Sequence, residues 1–207
     1  MIGRVLVAYG TKSGSTVEVA EAIGRALAES GASVDVRRAS EVRTTTGYDA
    51  VVLGAPRVTS VWQPDAIDFL ERLRDELVWK PVVYFITSMT LTKSADALIG
   101  STPIFQDPAH SRAPKNAGTL GLIEKETTPA AYLKPILRKA PGVVPFQVAF
   151  LAGKLDYRSL DLLHRTFFKL VLRVPPGDRR NWEFIRAWGA GLAEALARAA
   201  APKASAA

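Results

Sequence analysis

Arg4-Val5-Leu6-Val7-Ala8-Tyr9, then Gly10, then Thr11-Lys12-Ser13-Gly14-Ser15-Thr16 follows the first three residues of the chain. The first six residues are nearly all apolar, as in a strand buried on both faces of a sheet. The next seven are small and polar. From Thr16 a helical period begins, with apolar residues at Val17, Ala20, Ile23 and Leu27 and a stop at Gly31. A buried strand, a small-residue loop and a helix in that order predict the first half of a parallel α/β unit.

The rest of the chain repeats the alternation. Strands are predicted over 33–36, 48–54, 81–87 and 144–151, the third ending at Gly54. Helices are predicted from Pro64-Asp65 through Ile67, Leu70, Leu73 and Leu77, over 129–140, and over 182–200. Parallel sheets covered by helices bind ligands beyond the carboxyl ends of their strands. The loops after Tyr9, Leu53 and Ile86 are therefore the candidate site. Residues 92–128 are rich in Ser, Thr, Pro, Gly and Lys with weak periodicity, and read as a long insertion after strand 4. The expected organisation is one domain over 1–200, with that insertion, a basic amphipathic helix over 159–174, and a disordered tail over 201–207.

Composition sets outer limits. A chain of 207 residues that is 48% hydrophobic and 23% charged has ample material for a core. The absence of cysteine excludes disulfides, thiolate nucleophiles, iron–sulfur clusters and cysteine zinc sites. His110 and His164, far apart, give no histidine-rich metal site. The net charge of +7 and pI near 9.8 favour anionic partners without selecting one. No basic leader with a long apolar run starts the sequence, and no apolar stretch nears the roughly 20 residues of a membrane span. A cytoplasmic protein is expected. No nucleic-acid recognition motif accompanies the charge.

The loop over 11–16 has the chemistry of a phosphate cradle. Thr11, Ser13, Ser15 and Thr16 offer hydroxyls, and Gly14 lets the backbone come close. Successive main-chain N–H groups and the helix N-terminus favour an anion. Lys12 adds a cation or faces solvent. Helix capping alone is the alternative, but four hydroxyls in six positions exceed what a cap uses. Neither the Gly-x-x-x-x-Gly-Lys-Ser/Thr loop nor the Gly-x-Gly-x-x-Gly dinucleotide fingerprint is present, so a terminal phosphate is expected rather than a pyrophosphate. A Ser–His–Asp triad is unsupported, since no Gly-x-Ser-x-Gly elbow follows a strand.

Thr11, Ser13, Gly14 and Thr16 fall on the Thr/Ser-x-Thr-Gly-x-Thr pattern of the flavodoxin phosphate loop, with Ser13 in place of a usual threonine. The sequence resembles the flavodoxin family over roughly residues 3 to 200. That resemblance implies a doubly wound five-stranded parallel sheet of order 2-1-3-4-5 and FMN as cofactor. It implies that residues 11–16 hold the phosphate and that the ring sits between the second and third loops. In the second, Gly54 to Trp62, Ala55, Pro56 and Arg57 would approach the ring, with Arg57 or nearby N–H groups stabilising its reduced, anionic form. Trp62 either stacks on the ring or packs against the following helix. In the third, Thr87, Ser88, Met89 and Thr90 would meet the pyrimidine edge through their backbone. Flavodoxins usually carry a tyrosine there; this sequence has none, so the ring face would be more open.

Further on, Leu160 to Val174 is strongly apolar, with Arg165, Lys169 and Arg173 at four-residue spacing on one helical face. Such a helix is either a core helix with a solvated basic edge or an interfacial helix on an anionic membrane. His164 beside that stripe reads as an interface or solvent-facing residue, and Asp161 as an i,i+4 partner of Arg165. Gly153-x-Leu155-x-Tyr157 before that helix is similar to the flavodoxin-type, quinone-linked protoporphyrinogen IX dehydrogenase branch of the family. The sequence departs from it in its longer insertion and in Pro175-Pro176. This likeness implies a tetrapyrrole donor, a membrane quinone acceptor and peripheral attachment to the inner membrane face. The residues leave open an electron carrier, an NAD(P)H:quinone reductase or a non-catalytic module. No catalytic residue and no oligomeric state can be assigned.

Overall fold

β-branched and aromatic residues alternate between two apolar environments along the central strands, and that double burial builds a three-layer structure. The computed structural model describes residues 3–58, 61–116, 118–157, 166 and 175–200. The expected basic helix over 159–174, except Thr166, and the tail over 201–207 lie outside the described residues.

In chain order the elements are β1 (Arg4–Tyr9), α1 (Ser15–Glu29), β2 (Ser33–Arg38), β3 (Ala50–Val58), β4 (Val61–Trp62), α2 (Pro64–Arg72), α3 (Arg74–Leu77), β5 (Val82–Ser88), β6 (Leu91–Thr92), β7 (Leu98–Ile99), β8 (Thr102–Gln106), β9 (Ser111–Arg112), α4 (Leu122–Glu126), α5 (Pro129–Lys139), β10 (Pro145–Ala152), β11 (Lys154–Leu155), β12 (Gly177–Asp178) and α6 (Trp182–Ala200). The main sheet runs β2-β1-β3-β5-β10-β8-β7. Its first five strands are parallel and follow the expected 2-1-3-4-5 order.

Two features depart from the sequence reading. The insertion is built structure, not a bare loop: β8 pairs in parallel with β10 and β7 pairs antiparallel with β8, which widens the sheet at one edge. Thr102-Pro-Ile-Phe-Gln106 lacks a clean apolar pattern because only its pairing with Val148 to Phe150 makes it a strand. The third strand does not end at Gly54. It continues in register with β5 through Pro56 and then turns back as β4, with Arg57 opposite Trp62. Gly54 stands mid-strand because a Cβ there would lie 1.9 Å from the Phe85 ring.

The two faces have separate cores. Leu6, Leu53, Tyr84 and Phe150 pack on one face against Phe69, Leu70, Leu77 and Leu133 from α2, α3 and α5. Val7, Val52, Phe85 and Leu151 pack on the other against Ile23 and Leu27 of α1 and Ile185, Trp188 and Leu192 of α6. Each such fully buried side chain contributes roughly 1.5–3 kcal/mol. Glycine lets α1 and α6 come together: a Cβ on Gly189 would lie 2.9 Å from that of Ala26. This packing fixes the N-terminus of α1 at the carboxyl end of the sheet, beside the loops that follow β3, β5 and β10.

Candidate functional site

The loop between β1 and α1 is shaped by its own side chains. Gly14 adopts φ 81°, in the left-handed region, and its N–H donates to Thr11 Oγ1 at 3.0 Å. Among the described residues no atom lies within 4 Å of where a Gly14 Cβ would stand, so they leave the space above the turn open. The first-turn N–H groups of a helix lack intrahelical acceptors. Here Val17 N–H reaches back to Gly14 O at 3.0 Å. Thr16, in the same turn, is 1% exposed, and its Oγ1 is buried without a hydrogen-bond partner among the described residues. A buried hydroxyl left unmatched costs roughly 1–3 kcal/mol, so it marks a place for an acceptor or donor supplied from outside. Lys12, Ser13 and Gly14 are exposed and Ser15 half-buried. The set offers hydroxyls and amides to a small anion, as a phosphate monoester requires.

Two arginines from distant segments complete this end of the sheet. Arg38, the last residue of β2, donates to Thr11 O at 3.1 Å and pairs with Asp65 of α2 at 3.3 Å. Arg180 has a side chain only 3% exposed. It donates to Ser15 O at 3.1 Å, forks onto Asp178 at 2.8 and 2.5 Å, pairs with Glu18 at 3.1 Å and lies over the Trp182 ring. The Asp178 hydrogen bond outweighs burial and raises its pKa further, so it is cationic throughout the physiological range. Neither arginine was legible as a site residue, because the contacts span 27 and 165 positions.

The second loop is the β3–β4 hairpin. Ala55 is buried, Pro56 and Arg57 half-buried. Trp62 packs and does not stack: it is 3% exposed, lies edge-on to Tyr84 at 5.5 Å and donates from Nε1 to Ala55 O at 2.9 Å. Its faces are closed to a ligand ring, which corrects its inclusion among the cofactor contacts. Arg57 is pinned rather than reaching freely. Its guanidinium lies 3.9 Å over the Tyr132 ring and donates to Glu126 O at 3.0 Å.

The third loop is braced from below. Thr87 and Ser88 are buried, Met89 is half-buried and Thr90 exposed. Thr90 O accepts from both Ser88 Oγ (3.0 Å) and Tyr132 OH (2.5 Å). Ser88 O accepts from Gly153 N–H at 2.8 Å, and a Cβ on Gly153 would sit 3.2 Å from that oxygen, which is why glycine stands there. The Thr90 carbonyl thus already accepts two hydrogen bonds and the Ser88 carbonyl one, so the expected contact with a ring edge would use the second lone pair of Ser88 O and the other groups of this loop. Ser88 Oγ also lies 2.9 Å from His110 Nε2. Because Ser88 spends its one proton on Thr90 O, His110 is the donor and carries its hydrogen on Nε2. Burial drops the His110 pKa to about 4, with Arg179 and Arg112 reinforcing and Asp107 opposing, so the ring is neutral. Asp107, fully buried, accepts from Asn181 and from Ala109 N–H, while its Oδ2 has no partner among the described residues. Ser88, His110 and Asp107 share a neighbourhood, but the hydrogen-bond polarity is that of a brace, not of a base activating a nucleophile.

The comparisons agree with this geometry. Residues 6–181 match the family described as Flavodoxin domain, and the chain belongs to that family. A flavodoxin of Nitratidesulfovibrio vulgaris (strain DSM 19637 / Miyazaki F) is 36% identical over 80 residues, 37% of this chain and 49% of that protein. The match thus spans about half the length of that curated relative. Among solved structures, rubredoxin oxygen:oxidoreductase from Desulfovibrio gigas aligns with a TM-score of 0.53 at 12% identity, over 96% of this chain and 37% of that one. The metal-soaked Flv1 flavodiiron core from Synechocystis sp. PCC6803 aligns with a TM-score of 0.50 at 11% identity, over 96% and 36%. At these identities the two structures show the fold. FMN is the cofactor of the family, and a lone phosphate fits the buried, unmatched Thr16 hydroxyl and the open Gly14 turn. Among the described residues no helix is long and apolar enough to cross a membrane.

Proposed function

We propose that this chain is an FMN-dependent redox protein in which residues 11–16 hold the phosphate. Ala55, Pro56 and Arg57, with Thr87, Ser88, Met89 and Thr90, border the ring. The observation that carries this reading is the buried Oγ1 of Thr16 at the N-terminus of α1, which has no hydrogen-bond partner among the described residues. Bound FMN supplies the electron and hydride-equivalent chemistry; the protein supplies position, charge and exclusion of water. Arg57 contributes a fixed positive charge beside the second and third loops. The test is the absorption spectrum of the purified protein after FMN loading. Retained flavin absorbance supports the reading, and a colourless protein with residues 11–16 intact leaves a non-catalytic module of the same fold.

The finer reading is an oxidoreductase that takes hydrogen equivalents from a reduced organic substrate, protoporphyrinogen IX, and reduces a membrane quinone to its quinol. It is supported by the likeness of Gly153-x-Leu155-x-Tyr157 to the protoporphyrinogen dehydrogenase branch and by a net charge of +7 suited to propionates and to an anionic membrane face. A simple electron carrier is the second reading, favoured by the 36% identity to a flavodoxin; an NAD(P)H:quinone reductase is tested alongside it. Loaded protein that oxidises protoporphyrinogen IX with a menaquinone analogue supports the first. Rapid bleaching by NADPH points to the reductase, and exchange of electrons with carrier proteins alone points to the carrier.

A further inference from the structure

Arg180 and Glu18 meet at the phosphate end of α1. Glu18 stands in the first turn of that helix with a half-exposed side chain, and its carboxylate adds negative charge at the helix end that would receive a phosphate dianion. Negative charge at that helix end weakens binding of an anion unless it is offset. Arg180 supplies a positive charge 3.1 Å from Glu18 and 2.5 Å from Asp178, offsetting part of their charge, while donating to Ser15 O at 3.1 Å. The peptide bond is trans, so a carbonyl held on one side puts the next N–H on the other. Holding Ser15 O on Arg180 therefore turns Thr16 N–H away from the guanidinium, toward the open end of the helix. Asp178, on β12, in turn fixes Arg180 through two hydrogen bonds.

We infer that Arg180 is a positioning residue for the phosphate site, holding the first turn of α1 and offsetting the charge of the Glu18 and Asp178 carboxylates so that the loop accepts a terminal phosphate. The inference rests on the FMN reading above and makes phosphate affinity depend on a segment 165 positions away in sequence.

The experiment compares FMN with riboflavin, which lacks the phosphate, by titration calorimetry on the full chain. Arg180→Met weakens FMN by about tenfold or more, the scale of a lost charge-assisted interaction, and leaves riboflavin within about twofold. Adding Glu18→Gln to Arg180→Met restores part of the FMN affinity. Equal weakening of both flavins, or no change in either, overturns the inference, as does failure of Glu18→Gln to restore anything. If Arg180→Met does not fold, Arg180→Lys carries the comparison: it keeps the charge but loses the fork, so a smaller loss, still confined to FMN, is expected, and equal loss for both flavins or none for either overturns the inference. If the unaltered protein binds neither flavin, the FMN reading fails by itself. Inorganic phosphate then decides the Arg180 claim: it raises the melting temperature of the unaltered protein and not of the variant, and equal shifts overturn it.

Discussion

Ser88 and His110 are 22 positions apart in sequence and 2.9 Å apart in space, joined by a buried hydrogen bond beneath the third loop. His110 is the donor, neutral, and 6% exposed. Its contribution to stability has a definite pH sign. The unfolded chain protonates this histidine near its ordinary value of 6.5, the folded one only near 4. Between those values the unfolded state binds more protons, so stability is full above pH 6.5 and falls as pH drops toward 4. Urea unfolding at pH 7 and pH 5 gives a difference of about 2 kcal/mol from this group. In His110→Gln that part of the pH dependence disappears; an unchanged slope would place the histidine's titration elsewhere.

Thr16→Val separates ligand binding from folding. The hydroxyl it removes is buried and unmatched, so the flavin-free protein keeps or slightly gains melting temperature. The loop loses a donor to a charged oxygen, and FMN affinity falls by roughly 10- to 100-fold. A variant that loses stability without loss of affinity would show that the hydroxyl has a structural partner.

Trp62→Phe has the opposite signature. Ala55 O loses its donor and Tyr84 part of its edge contact, for a destabilisation of about 1–3 kcal/mol by chemical denaturation. FMN affinity, corrected for the unfolded fraction, changes by less than about twofold, because the ring does not face the ligand. A loss of affinity as large as that of Thr16→Val would restore the stacking role.

Gly54→Ala tests the continuous third strand. Its methyl would stand 1.9 Å from Phe85 ring carbons inside a packed core. Overpacking of this kind costs about 1–3 kcal/mol, read as a fall in denaturant midpoint. Trimming the ring in Gly54→Ala/Phe85→Leu recovers part of it.

Glu76 anchors the turn before β3. Burial raises its pKa, but the Thr45 N–H and hydroxyl and the Thr44 hydroxyl, donating at 2.6, 2.8 and 2.9 Å, outweigh that and hold it below its ordinary value. Its stabilisation is present above the unfolded pKa and is lost as pH falls through the folded one. Glu76→Gln lowers the melting temperature at pH 7, and the difference from the unaltered protein shrinks below about pH 4.

The alternation of strand and helix and the hydroxyl-rich turn were legible because each is local: period, glycine placement and loop chemistry are written in consecutive residues, whereas the order of the five central strands came from the family resemblance and is set by pairings between distant segments. Residues 102–106 were not legible as a strand, because their pairing partner lies more than 40 positions away and their own pattern is mixed. Trp62 left two roles open in the sequence, and the burial of its ring beside Tyr84 chose between them. Arg38, Arg180, His110 and Tyr132 entered the site only through the tertiary structure. What a turn can bind is set by the residues in it, whereas what holds that turn in place is set by whichever distant side chains packing brings to its back.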